Sequence, residues 1–143
     1  MGARSGFPQN VVTGRDNIGN GRAAGQRPDE VLGVSPYVEG PDRLLRLTRA
    51  AYDTTALQRD RRFGTLGYNT LVGLSAFTWD ASLHKVFKIN EQHQITFRFE
   101  AFNWLNHTAL GNPNANLASG NFGRITGLTV QPRNIQFGLK YNF

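Results

Sequence analysis

The end of the chain constrains it most. Ile135, Phe137, Leu139, Tyr141 and Phe143 alternate with Gln136, Gly138, Lys140 and Asn142 up to the last residue. A period of two puts successive side chains on opposite faces of a strand, so this run has one apolar face and one polar face. Two more runs share the pattern. In the first, Phe77, Trp79, Ala81, Leu83 and Phe87 alternate with Thr78, Asp80, Ser82 and His84, and Lys85 interrupts the apolar set. In the second, Ile95, Phe97, Phe99 and Ala101 alternate with Thr96, Arg98 and Glu100. Only the short polar turn Asn90-Glu91-Gln92-His93 separates them, which predicts an antiparallel hairpin. The expected strands span about 76–88, 94–105 and 134–143.

The rest reads as loop. Residues 1–75 are punctuated by Gly6-Phe7-Pro8, Gly19-Asn20-Gly21, Pro28-Asp29 and Gly40-Pro41, and residues 106–133 by Gly111-Asn112-Pro113-Asn114 and Ser119-Gly120-Asn121. Gly, Asn, Asp and Pro mark turns because they accept positive φ or fix the turn dihedrals. One short helix is predicted over Arg43–Tyr52, capped by Asp42, with Leu44, Leu47 and Ala51 on one face. A loop as long as 1–75 is unusual in a compact domain.

Backbone polar groups in lipid must be satisfied internally, so only helices and closed barrels span a bilayer. No apolar run reaches the roughly 18–20 residues of a membrane helix. Barrel strands need about 9–11 tilted residues, apolar outside and polar inside, and the three runs fit. The connections fit as well. Outer-membrane barrels have short periplasmic turns and long extracellular loops. If the terminal strand ends in the periplasm, the turn at 90–93 falls inside, and the segments 1–75 and 106–133 fall outside. The expected fold class is therefore all-β, the C-terminal antiparallel strands of a transmembrane β-barrel. Phe77, Trp79, Leu83, Phe87, Ile95, Phe97, Phe99, Ile135, Phe137 and Leu139 are expected to face lipid. Asp80, His84, Arg98, Glu100 and Lys140 are expected to face the lumen as a lattice of opposite charges. Trp104 would sit near the outer interface, and Lys85 near the inner one, where its long stem reaches water.

The terminal run also carries Gln136, Gly138, Tyr141 and Phe143: a polar residue, a small residue two later, and aromatics third from last and last. This spacing resembles the signal by which barrel-assembly machinery recognises its clients in Gram-negative bacteria. The implied location is the outer membrane, and the implied partners are its lipid and that machinery.

Several stretches, taken in order, resemble the Oar-like TonB-dependent receptors. They are Ser5-Gly6-Phe7-Pro8, Gly14-Arg15-Asp16-Asn17 and Gln26-Arg27-Pro28-Asp29; then Phe63-Gly64-Thr65-Leu66-Gly67-Tyr68-Asn69 and Trp79-Asp80-Ala81-Ser82-Leu83-His84-Lys85; and finally Phe97 to His107 and Phe122-Gly123-Arg124-Ile125-Thr126. The resemblance implies a parent with a plug, a TonB-contacting segment and a large barrel that takes up a nutrient. The present residues would supply its last strands and outer loops. They would meet TonB only through an N-terminal part that they do not contain. Siderophore, oligosaccharide and peptide all stay open as substrate.

Other chemistry finds little support. There is no cysteine, hence no thiolate nucleophile and no Cys-bearing zinc site. His84, His93 and His107 fall on different elements without ligand spacing, and no metal or cofactor is expected. No Ser-His-Asp set, phosphate loop or dinucleotide fingerprint occurs, so the chain is not expected to be an enzyme. The net charge of +6 invites a nucleic-acid reading, but the arginines are interleaved with Asp and Glu and lie apart from the aromatic runs. Arg43, Arg46, Arg49, Arg59, Arg61 and Arg62 could meet an anionic lipopolysaccharide or an acidic ligand; a solvated face is the plainer reading. Two alternatives compete with the barrel: a soluble secreted β-sandwich binding carbohydrate, and a basic nucleic-acid-binding module. Three strands alone cannot close a barrel. The isolated chain is expected to form a partial sheet with poorly ordered loops.

Overall fold

The computed structural model describes residues 1–143. The chain is mostly β, with strands β1 (Gly2–Arg4), β2 (Pro8–Gln9), β3 (Asp29–Glu30), β4 (Tyr52–Asp53), β5 (Leu71–Val72), β6 (Ala76–Thr78), β7 (Ala81–Lys88), β8 (Gln94–Phe102), β9 (Ala109–Leu110), β10 (Leu128–Val130) and β11 (Asn134–Asn142). Its helix is α1 (Thr55–Asp60), preceded by a 3₁₀ turn at Arg49–Ala51. All strand pairs are antiparallel. The residues fall into two compact units: 1–5, 75–110 and 128–143 form one, and 6–74 and 111–127 the other.

The first unit is dominated by a three-stranded meander in the order β11-β8-β7. β7 and β8 are joined by a tight turn. Its closing bond runs from the Ile89 N–H to the His93 carbonyl at 2.9 Å, and the Asn90 side chain accepts from the N–H groups of Gln92 and His93. The pairing is continuous from Ala81↔Ala101 to Lys88↔Gln94 and from Asn134↔Phe102 to Asn142↔Gln94. The outer edges of β7 and β11 have no partner strand, and the barrel is not closed. Two small sheets, β1 with β6 and β9 with β10, complete this unit.

The run expected as one strand over 76–88 is in fact two. β6 pairs with β1, and the chain breaks at Trp79-Asp80 before β7. The break has a partner on the neighbouring segment. The Trp104 N–H donates to the Trp79 carbonyl at 2.7 Å, and the Asn103 N–H donates to the Asp80 carboxylate at 2.8 Å. Asn103 has a positive φ of 51°, which ends β8 at Phe102 rather than at 105. Asn tolerates this left-handed conformation better than most residues.

The second unit replaces the loop expected over 1–75. Val11, Leu47, Leu66, Leu71, Ala115 and Phe122 form its core, with Tyr52 and Leu117 packed against them. Thr13, Asn17 and Gln26 are buried and bonded to one another. The helix expected over Arg43–Tyr52 is absent. The N–H groups of Arg46 and Leu47 donate to the Gly123 carbonyl, and the Ile125 N–H donates to the Leu44 carbonyl. Extended pairing with a distant segment takes the backbone groups that a helix would have used internally. The chain turns helical later, at α1. There the Asp53 carboxylate accepts the Thr55 N–H, and Leu57 is buried.

Candidate functional site

The register of the meander sorts its side chains into two faces. Across β7, β8 and β11, the rows Ala81–Ala101–Ile135, Leu83–Phe99–Phe137, Lys85–Phe97–Leu139 and Phe87–Ile95–Tyr141 lie on one face. The rows Ser82–Glu100–Gln136, His84–Arg98–Gly138, Val86–Thr96–Lys140 and Lys88–Gln94–Asn142 lie on the other. The first face is apolar in every row but for Lys85. It is also uncovered: Phe137 is 72% exposed and Leu139 75%. A soluble sandwich would bury this face under a second sheet. Such an exposed apolar surface marks an interaction site, and its nine-residue strands have the length of membrane strands.

Aromatic contacts gather at both ends of that face. At one end, Phe99 meets Phe137 with ring centroids 5.2 Å apart and Trp104 edge-on at 5.8 Å. At the hairpin end, Tyr141 stacks between His93 and Phe143 at 5.7 and 5.9 Å, and its hydroxyl lies 2.7 Å from His93 Nδ1. Bands of aromatics at both interfaces are how barrels anchor in a bilayer. Lys85 sits within the apolar face, three positions from the end of β7.

Of the residues expected to face lipid, Leu83, Phe87, Ile95, Phe97, Phe99, Ile135, Phe137 and Leu139 share the apolar face. Phe77 and Trp79 do not belong to this sheet. Phe77 pairs with Ala3 in the small β1–β6 sheet, and Trp79 occupies the break. Of the residues expected in the lumen, His84, Arg98, Glu100 and Lys140 share the polar face, with Arg98 Nε 4.0 Å from Glu100. Asp80 leaves that lattice, because its carboxylate is spent on the Asn103 N–H. In the terminal signal, Gln136 and Gly138 lie on the polar face opposite Glu100 and Arg98, and Tyr141 lies on the apolar face. No group of three His, Asp or Glu side chains comes together in a way that could hold a metal ion.

The stretches that carry the family resemblance prove to be locks between distant segments. Asp29 receives both terminal nitrogens of Arg62, at 2.9 and 2.6 Å, and the Thr65 N–H. Arg62 holds the Asp29 carboxyl below the usual carboxylate range. Arg27 bonds the Leu66 carbonyl and lies over the Tyr68 ring at 3.8 Å. Gly64 passes so close to Pro28 that a Cβ would meet the Pro28 carbonyl oxygen at 2.2 Å. Asp16 closes its own loop by accepting from Gln26 and from the N–H groups of Gly19, Asn20 and Gly21. Those bonds lower its pKa, Gln26 contributing most. Asn103 does the same in the other unit, donating to the carbonyls of His107 and Gln131 and accepting the His107 N–H.

Half of the arginine cluster is absorbed by ion pairs and carbonyl contacts. Arg59 pairs with Asp60, Arg62 with Asp29, and Arg49 bonds the carbonyls of Leu117 and Ser119. Asp60 is the sequence neighbour of Arg59, but Asp29, which holds Arg62, and the carbonyl partners of Arg49 lie tens of residues away, where no local pattern signals them.

No curated protein and no solved structure matches the chain. A family model described as Outer membrane beta barrel domain matches residues 1–136. That match and the two-faced meander agree: the chain belongs to the outer membrane β-barrel domain family, and its place is the outer membrane.

Proposed function

We propose that the chain is the terminal part of a TonB-dependent, Oar-like receptor that takes up a nutrient across the outer membrane, and that it is not an enzyme. The observation that carries the reading is the sorting of the meander: an uncovered apolar face behind a lattice of His84, Arg98, Glu100 and Lys140. A lipid-facing wall needs the first and a water-filled lumen the second. The order of the motif stretches supports the Oar-like assignment within this family. In this reading Gln136, Gly138, Tyr141 and Phe143 serve the barrel-assembly machinery, and the free edges of β7 and β11 pair with the remaining barrel strands. Unpaired backbone groups in lipid cost several kcal/mol each, roughly, so those edges require partners.

The genomic frame upstream of Met1 tests the proposal. A continuous frame encoding a plug, a TonB-contacting segment and further alternating strands is the expected result. A stop just upstream, with translation starting at Met1, would remove the transport role from this chain.

A further inference from the structure

A cleft of about 280 Å³ opens in the unit formed by residues 6–74 and 111–127. Separate segments supply its polar wall: Arg15 and Asn17 from the first loop, Arg49 and Tyr52 from the 3₁₀ turn and β4, Thr54 from the cap of α1 and Gln58 from its body. Two guanidinium groups line it and no carboxylate does. Arg49 is fixed in place by the carbonyls of Leu117 and Ser119 and by the Phe122 ring, 5.1 Å away. The Arg15 side chain has no ion pair in the chain, and the Thr54 hydroxyl and the Gln58 amide have no hydrogen-bond partner in it.

The acids nearest in sequence are occupied. Asp16 is held by its own loop, Asp53 by the Thr55 N–H and Asp60 by Arg59. Burial pushes the Tyr52 hydroxyl up to about 12, so this wall residue stays neutral at physiological pH. The cleft thus presents two guanidinium groups with no carboxylate in its lining, and unspent hydroxyl and amide groups beside them.

We propose that this cleft binds a small solute carrying both a carboxylate and several hydroxyls, by chemical class a sugar acid. A guanidinium fork matches a carboxylate in two parallel bonds. Hydroxyl and amide side chains both donate and accept, as sugar hydroxyls do. The volume is below the roughly 300–1,000 Å³ of sites for larger ligands, so a single sugar-sized unit is the natural occupant. The inference deepens the uptake reading and rests on it for its biological meaning.

The test is calorimetric titration of the whole chain in detergent micelles with D-glucuronate, D-glucose and sodium sulfate at fixed ionic strength. Glucuronate is expected to bind saturably, and glucose and sulfate at least about tenfold more weakly. Arg15→Gln should weaken glucuronate about tenfold with an unchanged circular dichroism spectrum, since Arg15 is exposed and holds no other segment. Thr54→Val should weaken it several-fold. Equal affinity for glucose would overturn the need for an anion, and equal affinity for sulfate the need for hydroxyls. An unaffected Arg15→Gln, or no saturable heat at all, would overturn the site. None of these failures bears on the upstream frame, which decides the uptake reading separately.

Discussion

Phe137 lies directly across from Phe99, and their rings approach to 5.2 Å on the uncovered face of the meander. Phe137→Asp places a charge among these rings. In phosphatidylcholine vesicles it should cost about 1–2 kcal/mol of insertion free energy, because a carboxylate on a barrel's lipid face costs less than the roughly 2–4 kcal/mol of an Arg or Lys at mid-bilayer. Thr96→Asp, on the polar face opposite Lys140, should have little effect. The fluorescence of the two tryptophans reads the difference: Trp79 and Trp104 are both partly exposed and should shift to the blue when the sheet enters lipid.

Gly123 has φ of +79°, and a Cβ there would meet the Leu47 carbonyl oxygen at 2.2 Å. Gly123→Ala combines left-handed strain with a backbone clash and should destabilise the unit by at least about 2 kcal/mol. Gly33 is the matched control, with φ of +81° and nothing within 4 Å. Gly33→Ala should cost only about 1 kcal/mol. Urea unfolding of the two variants separates conformational strain from steric conflict.

Asp29 provides a pH test. Its carboxyl is held below the ordinary carboxylate range, chiefly by its hydrogen bond from Arg62. A depressed folded-state pKa means that its contribution is fully present above the unfolded-chain pKa of about 4 and is lost as pH falls through the lower folded value. The thermal midpoint of the wild type should therefore decline on acidification below about pH 4, and Asp29→Asn should flatten that decline. At neutral pH, Asp29→Asn should unfold a few degrees earlier than the wild type.

Tyr141→Phe removes the hydroxyl that lies 2.7 Å from His93 Nδ1 and keeps the ring stack on Phe143. The loss of one hydrogen bond at an exposed position should cost about 0.5–1.5 kcal/mol. Removing Phe143 keeps the hydrogen bond and deletes the terminal aromatic. If the terminal run is an assembly signal, the deletion should slow outer-membrane insertion in cells more than Tyr141→Phe does. Equal rates for the deletion and the wild type would refute that role.

The meander was legible because a period of two fixes which face each residue takes, and Leu83, Phe99 and Phe137 needed only the hairpin to fall into one row. The break at Trp79-Asp80 was not legible. Alternation runs through it unchanged, and the bonds that hold it come from Asn103 and Trp104 on another segment. The second unit was hidden for a different reason. Its strands are two residues long, and its core draws Val11, Leu47, Leu71 and Phe122 from across the chain, so no local window shows a pattern. The cleft follows the same rule: Arg15 and Gln58, far apart in the chain, line one cavity, and no local pattern joins them.

The two interfaces of the meander differ in how far apart their strands lie in the chain. β7 and β8 are joined by residues 89–93, whereas β8 and β11 are separated by the whole of 103–133. Closing a short loop costs less entropy than closing a long one, and local pairings form sooner. The hairpin should zip first and then present the bare edge of β8, with β11 docking onto it late. During that interval β11 stays unpaired, its backbone groups available to another strand before β8 takes them up.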